Sequence, residues 1–161
     1  MNYSCYDYTY QTYYTGGIGL KISTKGRYAL RMMIDIAENQ DNGYVTLKDV
    51  ALRQDISKKY LEQIALHLSQ AGMLRAVRGY QGGYMLARPV QDYTVNAILQ
   101  VVEGSMAPVS CLEQKPNPCE RCHKCKTLPV WMELERRVSS YLNSLTLADV
   151  IEGNIRRPDN L

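Results

Sequence analysis

No run of eighteen apolar residues occurs in this chain, and its N-terminus has neither the basic flank nor the apolar stretch of a signal peptide. A bilayer-crossing helix needs about 20 apolar residues in succession, so membrane spanning and export are set aside and a cytoplasmic location is expected. A nucleophile paired with a base, a phosphate-binding glycine loop and a carboxylate dyad are likewise lacking, so the sequence does not read as an enzyme. Bias towards disorder is lacking too. Of 161 residues, 45% are hydrophobic, enough for one ordinary core and a helical appendage.

Net charge is only +3, so attraction to a polyanion must come from local clustering. That clustering exists. Between Lys21 and Arg88 there are 11 Lys and Arg against 6 Asp and Glu, whereas from Pro89 onward the signs nearly cancel. The second territory holds the cysteines: Cys111, Cys119, Cys122 and Cys125 fall in CLEQKPNPCERCHKC. In a reducing cytoplasm such crowding points to metal or redox chemistry more than to structural disulfides.

Residues 1–19 hold six tyrosines, no Lys or Arg and no sustained period, and read as a tail. Leu20 opens a natural protein start if its codon were TTG, with Gly16 and Gly17 covering a ribosome-binding sequence. Residues 1–19 are therefore expected to be a start-site misassignment or a disordered extension. Residues 154–161 read as a second tail.

The region 20–90 is more legible. Thr24 to Glu38 is apolar on several faces, as for a helix surrounded by others. DNG at 41–43 stops it. Thr46 with Asp49 marks the N-cap of a short second helix, and after an Asp55-Ile56 turn Ser57 is expected to cap a third, with Leu61, Ile64, Ala65 and Leu68 on one face. Two short helices so joined spell helix-turn-helix. LRAV and GYML, with a Gly-rich turn between them, add a hairpin, so the fold class is mainly α with a small β-hairpin wing: a winged helix-turn-helix. Lys58, Lys59, Tyr60 and Gln63 lie on the solvent side of the third helix, suited to base edges, and Arg75 and Arg78 on the wing, suited to phosphates or a minor groove. The expected partner is a double-stranded DNA operator.

The region 91–153 begins with an amphipathic helix from Thr94 to Glu103, followed by the proline-broken cysteine loop and a long helix started by Pro129. There Trp131, Leu134, Val138, Tyr141 and Leu145 recur at spacings of 3 and 4, an a/d seam. Little chain remains to cover it, so pairing with a second copy is expected, and a two-fold dimer suits a palindromic site.

KISTKGRYAL, ISKKYLEQI, VRGYQGGYMLARP and the cysteine loop running into TLPVW occur in that order between Lys21 and Gly153. In this the sequence resembles the Rrf-type family of bacterial winged-helix regulators, in its cysteine-containing iron-sulfur branch. The resemblance implies a homodimeric transcription regulator carrying a 2Fe-2S or 4Fe-4S cluster. By position, Glu62 and Gln63 match the family's base-reading pair and Arg78 its wing arginine. Lys59 stands where some members carry a small polar residue.

Cys111, Cys119 and Cys125, spaced C-x7-C-x5-C, resemble the family's three cysteine ligands, with the first gap two residues longer. The histidine that one branch places three beyond the last cysteine is Leu128 here, and where another branch takes a carboxylate from the first helix this chain has Lys25, Arg27 and Arg31. Cys122 is the local substitute for a fourth ligand. A structural zinc site and a metal-free thiol-disulfide switch stay open beside the cluster. The expected role is a regulator sensing iron-sulfur supply, oxidants or nitric oxide. The rival role, a metal or electron carrier on a helix-turn-helix scaffold, leaves the basic residues of the third helix without a use.

Overall fold

The structure is a computed structural model and describes residues 21–79 and 82–155. The tail at 1–19 and most of the tail at 154–161 lie outside the described residues.

The first two helices start where a side chain takes up free backbone N–H groups. Helix α1 (Thr24–Asn39) is capped by the Ser23 hydroxyl, which accepts from Lys25 and Gly26. Thr46 accepts from the Asp49 N–H at the head of α2 (Leu47–Gln54). Asp55 then takes a left-handed conformation, φ 50° and ψ 53°, which a short polar side chain tolerates, and turns the chain into α3 (Lys58–Gln70). Ser57 stands at the expected cap of α3, but its hydroxyl accepts no capping bond. The wing follows as β1 (Leu74–Val77) and β2 (Gly83–Leu86), antiparallel with Leu74 opposite Leu86 and Val77 opposite Gly83.

Val45, just before α2, pairs with Tyr84 through two 2.8 Å backbone bonds and so lies beside β2 as a one-residue third strand. Gly83 makes this approach possible. A Cβ there would stand 2.5 Å from the Val45 carbonyl oxygen, and that neighbour is backbone. Gly83→Ala should therefore destabilise the protein by about 1–3 kcal/mol, the usual cost of overpacking, read as a lowered urea midpoint at unchanged slope.

Helix α4 (Val95–Glu103), capped by Thr94, lies against α1. Ala29, Met32, Met33 and Ile36 of α1, Leu61, Ile64 and Leu68 of α3, Leu74 and Leu86 of the wing and Ile98 and Val102 of α4 form one core. Tyr93 ties the wing to it. Its ring is fully buried, its hydroxyl donates to the Met73 carbonyl at 2.9 Å and accepts from the Arg88 N–H at 2.8 Å, and the Arg88 guanidinium lies 4.9 Å from the ring centre.

After the cysteine loop come α5 (Leu128–Ser144) and α6 (Leu147–Glu152). The foot of α5 is fastened to the head of α4: the Val95 N–H donates to the Leu145 carbonyl at 2.9 Å, Leu147 donates to Tyr93 at 2.8 Å, and buried Asn96 donates to the Asn143 side chain at 3.0 Å. No described helix is long and apolar enough to cross a membrane.

Candidate nucleic-acid interface and cysteine loop

The helical period of α3 turns Leu61, Ile64, Ala65 and Leu68 into the core, which leaves Lys58, Lys59, Glu62 and Gln63 exposed at its first two turns. These residues divide between two hollows. Lys58 and Glu62 line one of about 650 Å³ with Thr46 at the cap of α2, Lys48 within it and Val77, Arg78 and Tyr84 from the wing. Lys59, Tyr60 and Gln63 line another of about 540 Å³ with Thr24 and Tyr28 of α1 and Asp55 of the turn. Lys58 also pairs with Glu62 one turn on, at 3.4 Å.

Arg78 and Arg75 part company. Arg78 follows β1 into the hollow beside α3, whereas Arg75 is outside that lining and donates to the Ala87 carbonyl at 3.3 Å, across the end of the hairpin. Tyr60 is half-buried, with its ring edge-on to Tyr28 at 5.7 Å and 87°.

Behind α3 lies a polar network outside the periodic patterns. Asp35, 1% exposed in the middle of α1, accepts from Arg53 Nε at 3.0 Å and Nη2 at 2.6 Å, and from Gln54 Nε2 at 2.9 Å. Gln54 returns its amide oxygen to Arg31 Nε at 3.0 Å, and its carbonyl also accepts from Arg31. The Arg31 guanidinium lies 5.4 Å from the Tyr28 ring centre. The hydrogen bonds to Asp35 raise the Arg53 pKa above its ordinary value against the lowering effect of burial. An aspartate set among Met33, Ile34 and Ile36 in α1, matched by an arginine near the end of the next helix, was the available sequence signal.

The cysteine loop runs from the end of α4 to α5 as short turns, Ser110–Leu112 and Cys122–Lys124 among them. Cys122 donates its N–H to Cys119 at 3.0 Å, Cys125 to Cys122 at 3.3 Å and Leu128 to Cys125 at 3.3 Å, so three cysteines and the head of α5 follow one another at three-residue steps. All four thiols are free and half-buried. The Thr127 hydroxyl, 3.4 Å from Cys125 Sγ, lowers that thiol's pKa, helped by the Thr127 backbone N–H, which favours the thiolate that binds metal. Among the described residues no three His, Cys, Asp or Glu side chains gather around one metal position. The donor set suits a cluster or zinc in number and type, and gathering it requires the turns of the loop to move.

Helix α5 has no buried residue in its 17 positions. Of the expected seam, Leu134 is 39% and Tyr141 43% exposed, with Trp131 and Val138 half-buried. Val130 and Met132 add further exposed apolar surface that the heptad reading passed over. Leu145 is a correction to the seam: the helix ends at Ser144, and Leu145 turns inward to join Val95 and Leu99. A second face of α5 is charged. Hydrogen bonds from Arg136, then Arg137, hold the Glu133 carboxyl down to about 2.

A helix-turn-helix whose third helix presents cationic and amide side chains beside an arginine-bearing wing defines a winged-helix DNA-binding protein of the transcription-regulator class. Within that class the chain belongs to the Rrf2 family, described as iron-dependent transcriptional regulators, whose model matches residues 22–153. It is 36% identical over 132 residues to the HTH-type transcriptional regulator IscR of Yersinia pseudotuberculosis, covering 82% of this chain and 79% of that protein. Among solved structures it resembles T. potens IscR, with 37% identity and a TM-score of 0.65 over 86% of this chain and 91% of that one. It also resembles CymR, the global cysteine regulator of B. subtilis, with 36% identity and a TM-score of 0.67 over 84% and 98%. These relatives are transcription regulators, not enzymes.

Proposed function

We propose that the chain is a cytoplasmic homodimeric regulator that reads a two-fold DNA operator with α3 and the wing and senses iron-sulfur, redox or nitric oxide status through a cluster held in the cysteine loop. The observation that carries the DNA half is the meeting of Lys48, Lys58 and Arg78 around one hollow between α2, α3 and the wing. Three cations from three elements on one concavity match a phosphate backbone passing between helix and wing. Lys59 and Gln63 on the other side of α3 then face base edges, and Glu62 can exchange Lys58 for a cytosine amino group.

Gln63→Ala should cost about 1–3 kcal/mol on the preferred operator and much less on random DNA, measured by titration at fixed salt. Equal losses on both would remove Gln63 from base reading. Lys58→Gln should instead weaken all DNA alike and reduce the slope of log affinity against log salt by about 1 per half-site.

For the sensing half, Cys111, Cys119 and Cys125 would hold the cluster, 2Fe-2S or 4Fe-4S, with Cys122 as the local fourth thiolate. A bound cluster supplies reversible one-electron chemistry and sensitivity to oxidants and nitric oxide. The chain's contribution is the Thr127 hydroxyl beside Cys125 Sγ, which lowers that thiol's pKa, and four free thiols presented on turns between two helices. Anaerobic purification should yield a coloured protein with iron and sulfide, and a colourless protein with stoichiometric zinc would overturn this assignment. The lowered Cys125 thiol also favours a second reading, a metal-free thiol switch, for which mild oxidation of the metal-free protein should change DNA binding and be reversed by dithiothreitol.

A further inference from the structure

Asp35 is buried and the DNA-reading surface does not touch it, yet each side chain that donates to its carboxylate leads towards that surface. Arg53 and Gln54, which bind it, are the last two residues of α2, and Asp55 follows them into the left-handed turn before α3. Gln54 passes the connection to Arg31, which caps the end of α2 through the Gln54 carbonyl and lies over Tyr28. Tyr28 meets Tyr60 on α3 edge-on, and both line the hollow that holds Lys59 and Gln63. The chain of contacts runs from the middle of α1 to the first turn of the reading helix without a gap.

We propose that Asp35 is a positioning residue for base reading, which through Arg53, Gln54, Arg31 and Tyr28 sets the angle at which α3 presents Gln63 and its neighbours to DNA. Stability alone is a poor reason for the pair, because burying a carboxylate against a guanidinium costs desolvation that the attraction only about offsets. Orientation is a better reason. A bidentate contact fixes distance and plane together, whereas apolar packing of α2 on α1 tolerates sliding. A misplaced α3 would lose base contacts, which demand hydrogen-bond geometry, and keep phosphate contacts, which long flexible lysines make over a range of positions.

This inference rests on the reading surface proposed above, so the experiment begins by selecting an operator from random duplexes with the wild-type protein and measuring its preference over scrambled DNA. Asp35→Asn keeps the shape and removes the charge, and Asp35→Glu restores the charge. Arg31→Lys keeps the charge and loses the planar fork at an exposed site, so it tests the chain even if the buried variant fails to fold. Folded fraction is followed by circular dichroism. Asp35→Asn and Arg31→Lys should each lower the operator-to-scrambled ratio by about tenfold, with scrambled DNA bound within about twofold of wild type and Asp35→Glu recovering part of the loss. An unchanged ratio in folded Arg31→Lys, or equal losses on both DNAs tracking the folded fraction, would overturn the proposal and leave Asp35 a structural residue only. A wild-type protein with no operator preference would overturn the reading surface and this inference together.

Discussion

Trp131→Ala combined with Leu134→Ala is expected to give a folded monomer that no longer holds its operator. Helix α5 presents Leu134 at 39% and Tyr141 at 43% exposure on the same stripe as half-buried Trp131 and Val138, an apolar stripe left open to water. In the proposed dimer, a second copy pairing along Trp131, Leu134, Val138 and Tyr141 would cover it with coiled-coil geometry. The substitutions should spare the fold because, among the described residues, the main core draws on α1 to α4, the wing and α6 and takes nothing from α5. Its foot stays fastened through Asn96, Val95 and Leu145. One half-site then has to hold alone. Losing the effective concentration that linkage supplies should weaken operator binding by about 10² to 10⁴-fold, measured beside sedimentation. An intact dimer in the double variant would move the interface to another surface.

Much of the reading head was legible because local chemistry sets its boundaries. Thr46 and Thr94 cap the helices that follow them, Asp55 takes the left-handed turn, and LRAV and GYML pair as strands with no register slip. Helix α6 carried the same kind of signal, Thr146 and Asp149 in a reciprocal capping box with Gly153 at the far end, but extending the seam to Leu145 hid the start of a new element. Contacts between elements left no periodic trace. Asp35 and Arg53 are separated by 18 residues, and the Tyr93 hydroxyl reaches back 20 residues to Met73, so both belong to the packed chain and not to any window of sequence. The cysteine loop was the opposite case. Its spacing showed the donor set, while the turns that order Cys119, Cys122 and Cys125 arise from backbone bonds between the cysteines and from the Asn117 side chain accepting the Cys119 N–H, which spacing does not encode.

Cys111→Ala, Cys119→Ala and Cys125→Ala should each abolish a stable cluster, whereas Cys122→Ala should lower its occupancy or its tolerance of oxygen. The apo protein should still fold, since neither apolar cluster of the core contains a cysteine. Its DNA binding should change, because both ends of the loop are attached to working parts. At one end, Glu103, the last residue of α4, accepts the Ser23 N–H at 2.9 Å at the head of α1, which lines the hollow holding Gln63, and Gly104 opens the loop with φ 80°. At the other, Cys125 leads within three residues into α5 and the proposed dimer seam. Gathering four thiols around one centre must pull these ends into one arrangement, and such a ligand shifts an equilibrium only by its differential affinity for the states it joins. Coupling of the usual size would separate holo and apo affinities for an operator by about 5 to 150-fold, with Cys125→Ala matching apo. The measurement is a titration of all three forms under one anaerobic buffer; identical affinities on every cognate operator would mean that the loop, even when loaded, is not the switch.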